Sequence, residues 1–206
     1  MTTGERQAHW EQVFKTKGER DVSWFQDTPV QSLDLIHRSG VPRGGSIIDV
    51  GGGASRLVDE LLKEGFDVAV LDLSAAALEV ARSRLGASGE HARWIVADMT
   101  KWAPDRQYDL WHDRAAFHFL TDPGDRAAYV SCLAAAVKVG GHAMIATFAP
   151  DGPEKCSGLP VMRHDAESLA AALGDRFILI ETGHGDHRTP SGAHQAFQFS
   201  LFRKSA

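Results

Sequence analysis

The sequence has little of what marks secreted, membrane-bound or disulfide-rich proteins. Only two of its 206 residues are cysteines, Cys132 and Cys156, which are too few and too far apart for a disulfide framework or a CxxC site. No apolar run approaches the length of a transmembrane helix, and the polar residues 1–6 do not form a signal peptide. These absences predict a cytoplasmic protein with no membrane partner.

Positive charge and metal-ligand spacing are also missing. The net charge is −5, so nothing predicts a nucleic-acid partner. Ten histidines are present, but they show no HExxH motif or paired spacing, and we predict no metal site. Internal repeats and low-complexity segments are absent as well. The sequence offers no self-complementary surface from which to infer an oligomeric state.

Apolar runs and helical patterns alternate along the chain, with 43% hydrophobic residues. We predict one domain over 1–206, made of a helical leader (1–44) and a cofactor-binding core (45–206). Strands separated by helices predict an α/β fold with a parallel sheet and a late β-β ending. The predicted strands are 46–50, 67–71, 92–97, 108–111, 141–148, 177–182 and 196–202, and the core helices are 54–64, 74–85, 123–137 and 165–173.

A glycine-rich turn follows the first predicted strand, in the order Asp49-Val50-Gly51-Gly52-Gly53-Ala54-Ser55. Glycines allow a sharp turn and leave no side chain between backbone and ligand, and the helix start aims free N–H groups at that ligand. Such a turn can bind NAD, FAD or S-adenosylmethionine, or be a tight turn only. Asp49 before the first glycine, and Arg56 in place of a third, both disfavour a pyrophosphate. They favour S-adenosylmethionine, which carries an ammonium group and a ribose.

Four aspartates end the first four strands, namely Asp49, Asp72, Asp98 and Asp113. Ligands of open α/β sheets bind at the carboxyl ends of the strands, so four carboxylates are expected to converge there. Each could instead cap a helix or start a turn.

The positions of two of these carboxylates suggest individual roles. Asp72 could accept the hydroxyls of a ribose, in NAD as well as in S-adenosylmethionine, and Asp98 could accept an adenine amino group. Leu73 and Met99 follow them and could either flank an adenine ring or pack in the core.

Taken together, these segments resemble the class I S-adenosylmethionine-dependent methyltransferases. The match lies in Asp49–Gly53, Asp72, Ala97–Met99 and Lys138–His142, in order and spacing, and it covers about residues 45–203. The resemblance implies a Rossmann-like, doubly wound, seven-stranded sheet of order 3-2-1-4-5-7-6 with strand 7 antiparallel. It implies S-adenosylmethionine as cofactor and S-adenosylhomocysteine as product.

The resemblance also assigns cofactor contacts to residues of this chain. Asp49 would lie near the methionine ammonium, Gly51 and Gly53 under the methionine part, Asp72 on the ribose and Asp98 on the adenine. We add five neighbouring positions to this cofactor set as expectations: Trp24, Ser55, Leu73, Met99 and Asp113.

The segment after the fourth strand is expected to hold the methyl acceptor. Asp113-Arg114, followed by Pro123–Arg126 and Tyr129, resembles the thiopurine methyltransferase branch, where the arginine lies beside the substrate. This chain departs from that branch at Ala115, where the branch has glycine, and in the inserted Phe117-His118-Phe119. Arg114 and His118 are the candidate catalytic residues, His118 as general base. His118 could also be a histidine that makes one structural hydrogen bond.

The leader carries Trp10, Trp24 and Phe25, which resemble the cofactor-covering leader of the thiopurine branch and, equally, the leader of seven-stranded protein-lysine methyltransferases. They could also serve packing alone. We therefore predict SN2 methyl transfer to a small-molecule acceptor, with a protein-lysine methyltransferase or a cofactor-binding regulatory protein as alternatives. The expected D/N-P-P-Y/F motif is absent, which weighs against methylation of nucleic-acid amines. The long loop 149–164 could close over the substrate.

Overall fold

The computed structural model describes residues 1–206 as an α/β fold built on one large sheet. Six helices are present: α1 (Thr3–Thr16), α2 (Val30–Arg38), α3 (Leu57–Lys63), α4 (Ala75–Leu85), α5 (Pro123–Ala136) and α6 (Ala166–Leu173). The large sheet contains β1 (Ser46–Val50), β2 (Asp67–Asp72), β3 (Arg93–Val96), β4 (Tyr108–Arg114), β5 (Val137–Phe148), β8 (Phe177–Arg188) and β9 (His194–Lys204). A separate two-stranded hairpin consists of β6 (Lys155–Cys156) and β7 (Leu159–Pro160).

The strand order of the large sheet is β3-β2-β1-β4-β5-β9-β8. The first five strands run parallel, and β9 pairs antiparallel with both β5 and β8. When the small hairpin is left out of the count, this order is 3-2-1-4-5-7-6 with strand 7 antiparallel. The predicted fold class is confirmed.

Local sequence explains where several helices begin. The Ser74 side chain accepts from the N–H of Ala77 at the start of α4, and Asp122 accepts from the first turn of α5, where Pro123 is the first residue. Helix α3 begins at Leu57, three residues later than predicted, because the turn after β1 continues through Arg56. Strand β4 is three residues longer than predicted and includes Asp113 and Arg114.

Apolar side chains fill both faces of the sheet. One cluster contains Trp111, Phe117 and Tyr129, which lie between β4 and α5. The opposite face buries Ile36 of α2 and Leu57 of α3 against β1 and β2. Helix α1 contributes no fully buried residue to either cluster and lies over the carboxyl ends of β2 and β3. None of the helices combines the length and the hydropathy that a membrane span requires.

Candidate active site

The turn between β1 and α3 is built from glycines in conformations that other residues rarely adopt. Gly51 and Gly53 have φ of +68° and +48°. A Cβ on Gly51 would lie 2.5 Å from the Cβ of Ala116, and one on Gly53 would lie 3.1 Å from Asp72 Oδ2. A side chain is therefore excluded at Gly51 and would be strained at Gly53, and the turn leaves its backbone open to a ligand.

A largely apolar cavity lies between this turn, the ends of β2 to β4 and the leader. It collects eight of the twelve predicted site residues, which come from segments far apart in sequence. These eight are Trp24, Gly51, Gly53, Asp72, Leu73, Asp98, Met99 and Arg114. A single ligand in the cavity can therefore contact residues of the leader, the glycine turn and three strand ends.

Asp72 is the carboxylate at the middle of this cavity. Its Oδ1 accepts from the backbone N–H of Ser74 at 2.8 Å, while Oδ2 faces Gly53. Burial raises the pKa of Asp72 to about 7, and the nearby charge of Asp49 adds to the increase. The carboxyl group is thus an acceptor with spare capacity, next to the apolar side chains of Leu73 and Met99.

Asp98 is fully engaged by protein groups. Oδ1 accepts from the N–H and hydroxyl of Thr100, and Oδ2 accepts from Thr3 at 2.7 Å and from Arg6 at 2.9 Å. Burial by itself would raise the pKa of Asp98, but these hydrogen bonds and the Arg6 charge outweigh it and lower the pKa to about 2. Because Arg6 also pairs with Asp125, it links α1 to two elements of the core.

Asp49 and Ser55 line a second, more polar cavity, which shares Trp24, Gly51 and Arg114 with the first. Asp49 is opposite His112 in the register of β1 and β4, and its Oδ1 lies 2.6 Å from His112 Nδ1. Asp49 Oδ2 is buried and has no hydrogen-bond partner. This unsatisfied acceptor is a suitable partner for a ligand ammonium.

Asp113 lines neither cavity, so the expectation that it contacts the cofactor needs correction. Its side chain is fully buried on the α5 side of β4, where it accepts from the backbone of Ala116 and Phe117 and from the Tyr129 hydroxyl. Burial raises the pKa of Asp113 to about 6. Because β4 continues through Arg114, alternation directs Asp113 to one face and Arg114 to the other. Asp113 thus shapes the segment after β4 and does not face a ligand.

Arg114 lines both cavities. Its Nη1 donates to the carbonyl of Trp24 at 3.2 Å, and its guanidinium lies over the Phe197 ring, 4.7 Å from the centroid. The next residue, Ala115, has φ of +66°, a left-handed conformation that costs energy for a residue other than glycine. The thiopurine methyltransferase branch has glycine at this position. This chain therefore has a residue with a side chain where glycine would adopt the left-handed conformation more easily.

His118 lies outside both cavities, which corrects its candidacy as general base. The side chain is fully buried, and its Nδ1 accepts from the backbone N–H of Phe148 at 3.3 Å. Burial lowers the pKa of His118 to about 3, and the charge of Arg114 acts in the same direction. The histidine is therefore uncharged at neutral pH, and its one hydrogen bond, at Nδ1, agrees with the structural role that the sequence left open.

The main cavity is also lined by residues outside the predicted site set, namely Arg6, Trp10, Phe14, Phe119 and Cys156; of these, no signal in the sequence indicated Arg6 or Phe14. Trp10 packs edge-to-face on Trp24 and on Phe119, so the leader aromatics form one wall. The aromatic composition of the leader was a usable signal for this wall. Cys156 belongs to β6, which shows that the 149–164 segment reaches the cavity. Whether that segment closes over a substrate stays a prediction.

The residues that line the two cavities fit the chemistry of S-adenosylmethionine. An adenosine needs apolar walls and a ribose acceptor, and the main cavity offers Leu73, Met99 and Asp72. An amino-acid end needs an acceptor for its ammonium, and the adjoining cavity offers the orphaned oxygen of Asp49. The glycine turn joins the two without side chains. Asp98 differs from the expected adenine contact, because both of its oxygens already accept hydrogen bonds from Thr3, Arg6 and Thr100.

Residues 47–141 match the family model of a methyltransferase domain. Among curated proteins, a ubiquinone biosynthesis O-methyltransferase from Serratia proteamaculans (strain 568) is 27% identical over 161 residues, which are 77% of this chain and 60% of that protein. A protein of the same name from Photorhabdus laumondii is 26% identical over 83% of this chain and 62% of that protein. The chain thus spans less than two thirds of the length of these relatives.

Solved structures show the same fold. A Burkholderia thailandensis 1,6-didemethyltoxoflavin-N1-methyltransferase, solved with its substrate and S-adenosylhomocysteine, has a TM-score of 0.76 and 20% identity, covering 100% of this chain and 92% of that one. The N-methyltransferase NodS of Bradyrhizobium japonicum WM9, solved with S-adenosylhomocysteine, has a TM-score of 0.70 and 16% identity, covering 95% and 98%.

Proposed function

We propose that this chain, which carries a methyltransferase domain over residues 47–141 and the class I fold, is an S-adenosylmethionine-dependent methyltransferase that acts on a small molecule. One observation carries the proposal. The glycine turn, Asp72 and the Leu73–Met99 walls form a single cavity whose other end, at β4 and the leader, is aromatic. The cavity therefore offers nucleoside-binding groups at one end and an aromatic wall for an acceptor at the other.

We assign the cofactor contacts accordingly. Asp72 accepts the ribose hydroxyls, and Leu73 and Met99 flank the adenine. In the adjoining cavity, Asp49 accepts from the ammonium and Ser55 lies beside the amino-acid end. Asp98 contributes to the adenine end by fixing α1 over it, and an adenine amino group would have to share an oxygen that already accepts from Arg6.

Gly51 and Gly53 permit the backbone of the turn to approach the methionine part, and Trp24 lies between the two cavities. When bound, S-adenosylmethionine supplies a methyl group that is already activated by a sulfonium. The residues of this chain then have to hold the acceptor in line and exclude water, which is mainly a matter of positioning. The aromatic wall of Trp10, Trp24 and Phe119 suits both tasks.

A small-molecule acceptor is supported by the leader, whose Trp10, Phe14 and Trp24 give the cavity an aromatic wall. The relatives and structural neighbours named above are O- and N-methyltransferases, one of them solved with bound 1,6-didemethyltoxoflavin. We also place the protein in the cytoplasm, since Cys132 and Cys156 are free thiols.

Transfer of a labelled methyl group tests this proposal. The protein is incubated with methyl-labelled S-adenosylmethionine and with two fractions of one cell extract, a low-molecular-weight filtrate and the retained protein. Label in the filtrate that disappears with the Asp72→Ala variant supports the proposal. Label in protein lysine instead supports a protein-lysine methyltransferase. Label in neither fraction, with S-adenosylhomocysteine bound, supports a regulatory protein. The last two results each overturn the proposed function.

A further inference from the structure

Arg114 is a partly buried residue whose guanidinium has no counter-ion. Two of its guanidinium nitrogens, Nε and Nη2, are buried and have no hydrogen-bond partner, and no carboxylate forms an ion pair with it. Three other arginines that contact this side of the molecule are each paired with a carboxylate: Arg6 with Asp98, Arg56 with Glu19 and Arg84 with Asp59. A buried charge that is left unpaired is costly, so its retention indicates a partner outside the chain.

Arg114 stays charged at neutral pH, because burial lowers its pKa only to about 10. The titratable groups that face it are Asp49 of β1, Cys156 of β6, His118 and His187 of β8. Burial raises the pKa of the Cys156 thiol to about 11 and lowers those of both histidines, so these three are neutral at pH 7. Asp49 is bonded to His112 through Oδ1, and its free Oδ2 is the acceptor assigned above to the cofactor ammonium.

The acceptor end of the cavity thus offers a cation and no general base. The carboxylate of Asp72 ends β2 and that of Asp98 follows β3, and both strands lie on the far side of β1 from β4. Around Arg114 the lining is aromatic, with Trp24 and Phe119, or a neutral thiol, Cys156. An acceptor that kept its proton would find no group here to remove it, whereas an acceptor that arrives as an anion would satisfy the guanidinium.

We propose that the methyl acceptor is a small planar molecule with an acidic hydroxyl, phenolic or enolic, and that it binds as an oxyanion against Arg114. This inference rests on the proposed methyltransferase function and names its substrate class. The hydroxyl loses its proton to solvent before or during binding. The oxyanion then forms a bond to the methyl carbon, and the carbon–sulfur bond breaks with its electron pair going to sulfur. The product ether is neutral at that oxygen, so it no longer pairs with Arg114 and is released more easily.

The competing explanation is that Arg114 pairs with the carboxylate of the cofactor, because it also lines the polar cavity beside Asp49. The strand position favours the acceptor. Arg114 is the last residue of β4, and its Nη1 is bonded to Trp24 in the aromatic wall. The two explanations differ in which ligand an Arg114 variant binds more weakly. If Arg114 pairs with the acceptor, the variant loses affinity for the acceptor anion; if it pairs with the cofactor, the variant loses affinity for S-adenosylhomocysteine.

The test uses the full-length protein saturated with S-adenosylhomocysteine and 4-nitrophenol as probe, whose phenol and phenolate forms differ in visible absorption. 4-Nitroanisole serves as the uncharged control. We expect the wild type to lower the apparent pKa of the bound probe by about one unit, which is roughly tenfold tighter binding of phenolate than of phenol. Arg114→Met should bind phenolate at least about tenfold more weakly, and Arg114→Lys should be intermediate, because it keeps the charge but not the planar fork.

The control variant is Arg82→Met, which removes an exposed arginine paired with Glu90 and should change nothing. Affinity for S-adenosylhomocysteine should stay within about twofold in all four proteins. The proposal is overturned if phenolate binds no better than nitroanisole, or if Arg114→Met loses affinity for S-adenosylhomocysteine instead of phenolate. If Arg114→Met does not fold, the proposal is tested by comparing the apparent pKa of the bound probe on the wild type with that on Arg114→Lys. Failure of the wild type to bind S-adenosylhomocysteine would instead refute the methyltransferase function itself.

Discussion

At the scale of single residues, Asp72 is placed where a charge is both costly and useful. Desolvation favours its protonated form, yet only the carboxylate can accept both hydroxyls of a ribose. A carboxyl group whose pKa lies near neutrality makes ligand affinity depend on pH, since the ligand binds to the deprotonated form. Asp98, whose pKa is about 2, carries no such dependence in the same range.

We predict that affinity for S-adenosylhomocysteine rises about tenfold between about pH 6 and pH 8, because Asp72 loses its proton around a pKa of about 7. Calorimetric titration at three pH values measures the slope. Asp72→Asn should weaken binding and remove the slope, whereas Asp151→Asn, at an exposed position, should keep both. A flat profile for the wild type would refute the assignment of Asp72 to the ribose.

His118 gives a second prediction, on stability. Its folded-state pKa is about 3, below the unfolded value near 6.5, so the unfolded chain takes up a proton first. The free energy of unfolding therefore falls as the pH drops below about 6.5, and the share of His118 between pH 7 and pH 5.5 is about 1 kcal/mol. Urea unfolding of His118→Asn should lack this share, while His37→Asn, a half-exposed control, should retain it. If His118→Asn folds but no longer transfers methyl groups, His118 would again be a candidate general base.

At the scale of elements, α1 is attached to the core mainly by polar contacts. It has no fully buried residue, yet Thr3, Arg6 and Gln7 bond to Asp98, Asp125 and the carbonyl of Leu73, and Trp10 and Phe14 line the cavity. An element held in this way opens locally, at a cost below that of global unfolding. Ligand binding and the docking of α1 are therefore expected to support each other.

We predict that Arg6→Ala loosens α1 without unfolding the domain. Loss of an ion pair whose side chains are 11% and 5% exposed should cost about 1–2 kcal/mol locally. Hydrogen exchange in residues 3–16 should then rise roughly tenfold, and global urea unfolding should change little. Arg82→Ala removes an exposed pair and should leave exchange in α1 as it was. Unchanged exchange in Arg6→Ala would mean that the aromatic contacts alone hold the helix.

The elements also show where sequence reasoning succeeds and where it fails. Asp72 could be placed because an apolar run ends in a carboxylate followed by a helix cap, and that local signal fixes the carboxyl end of β2. The side chain of Asp113 could not be placed, because the predicted fourth strand ended at Trp111 and the continuation to Arg114 decides which face each residue takes.

At the scale of the whole molecule, the resemblance to class I methyltransferases was enough to predict the order of the strands in the sheet. It was not enough to predict which side chains from distant segments contact each other. Arg6 and Asp98 are 92 residues apart, and no periodicity or motif links them. The pairing of Asp49 with His112 depends on the register of two strands that are 63 residues apart. The cofactor half of the site was accessible from sequence because its residues follow strand ends. The acceptor half needed the structure, because the leader folds onto β4.

A ligand that bridges these distant segments should stabilise the entire fold. At a concentration one hundred times its dissociation constant, S-adenosylhomocysteine adds about 2.7 kcal/mol, which for a chain of this size raises the melting temperature by roughly 5–10 °C. NAD should give no shift, because its pyrophosphate would meet the carboxylates Asp49 and Asp72 beside a turn that has Arg56, already paired with Glu19, in place of the third glycine. Thermal unfolding with each ligand, and with Asp72→Ala as control, measures the difference. An equal shift with NAD would mean that the cavity is a dinucleotide site, and the function proposed for the chain would have to be abandoned.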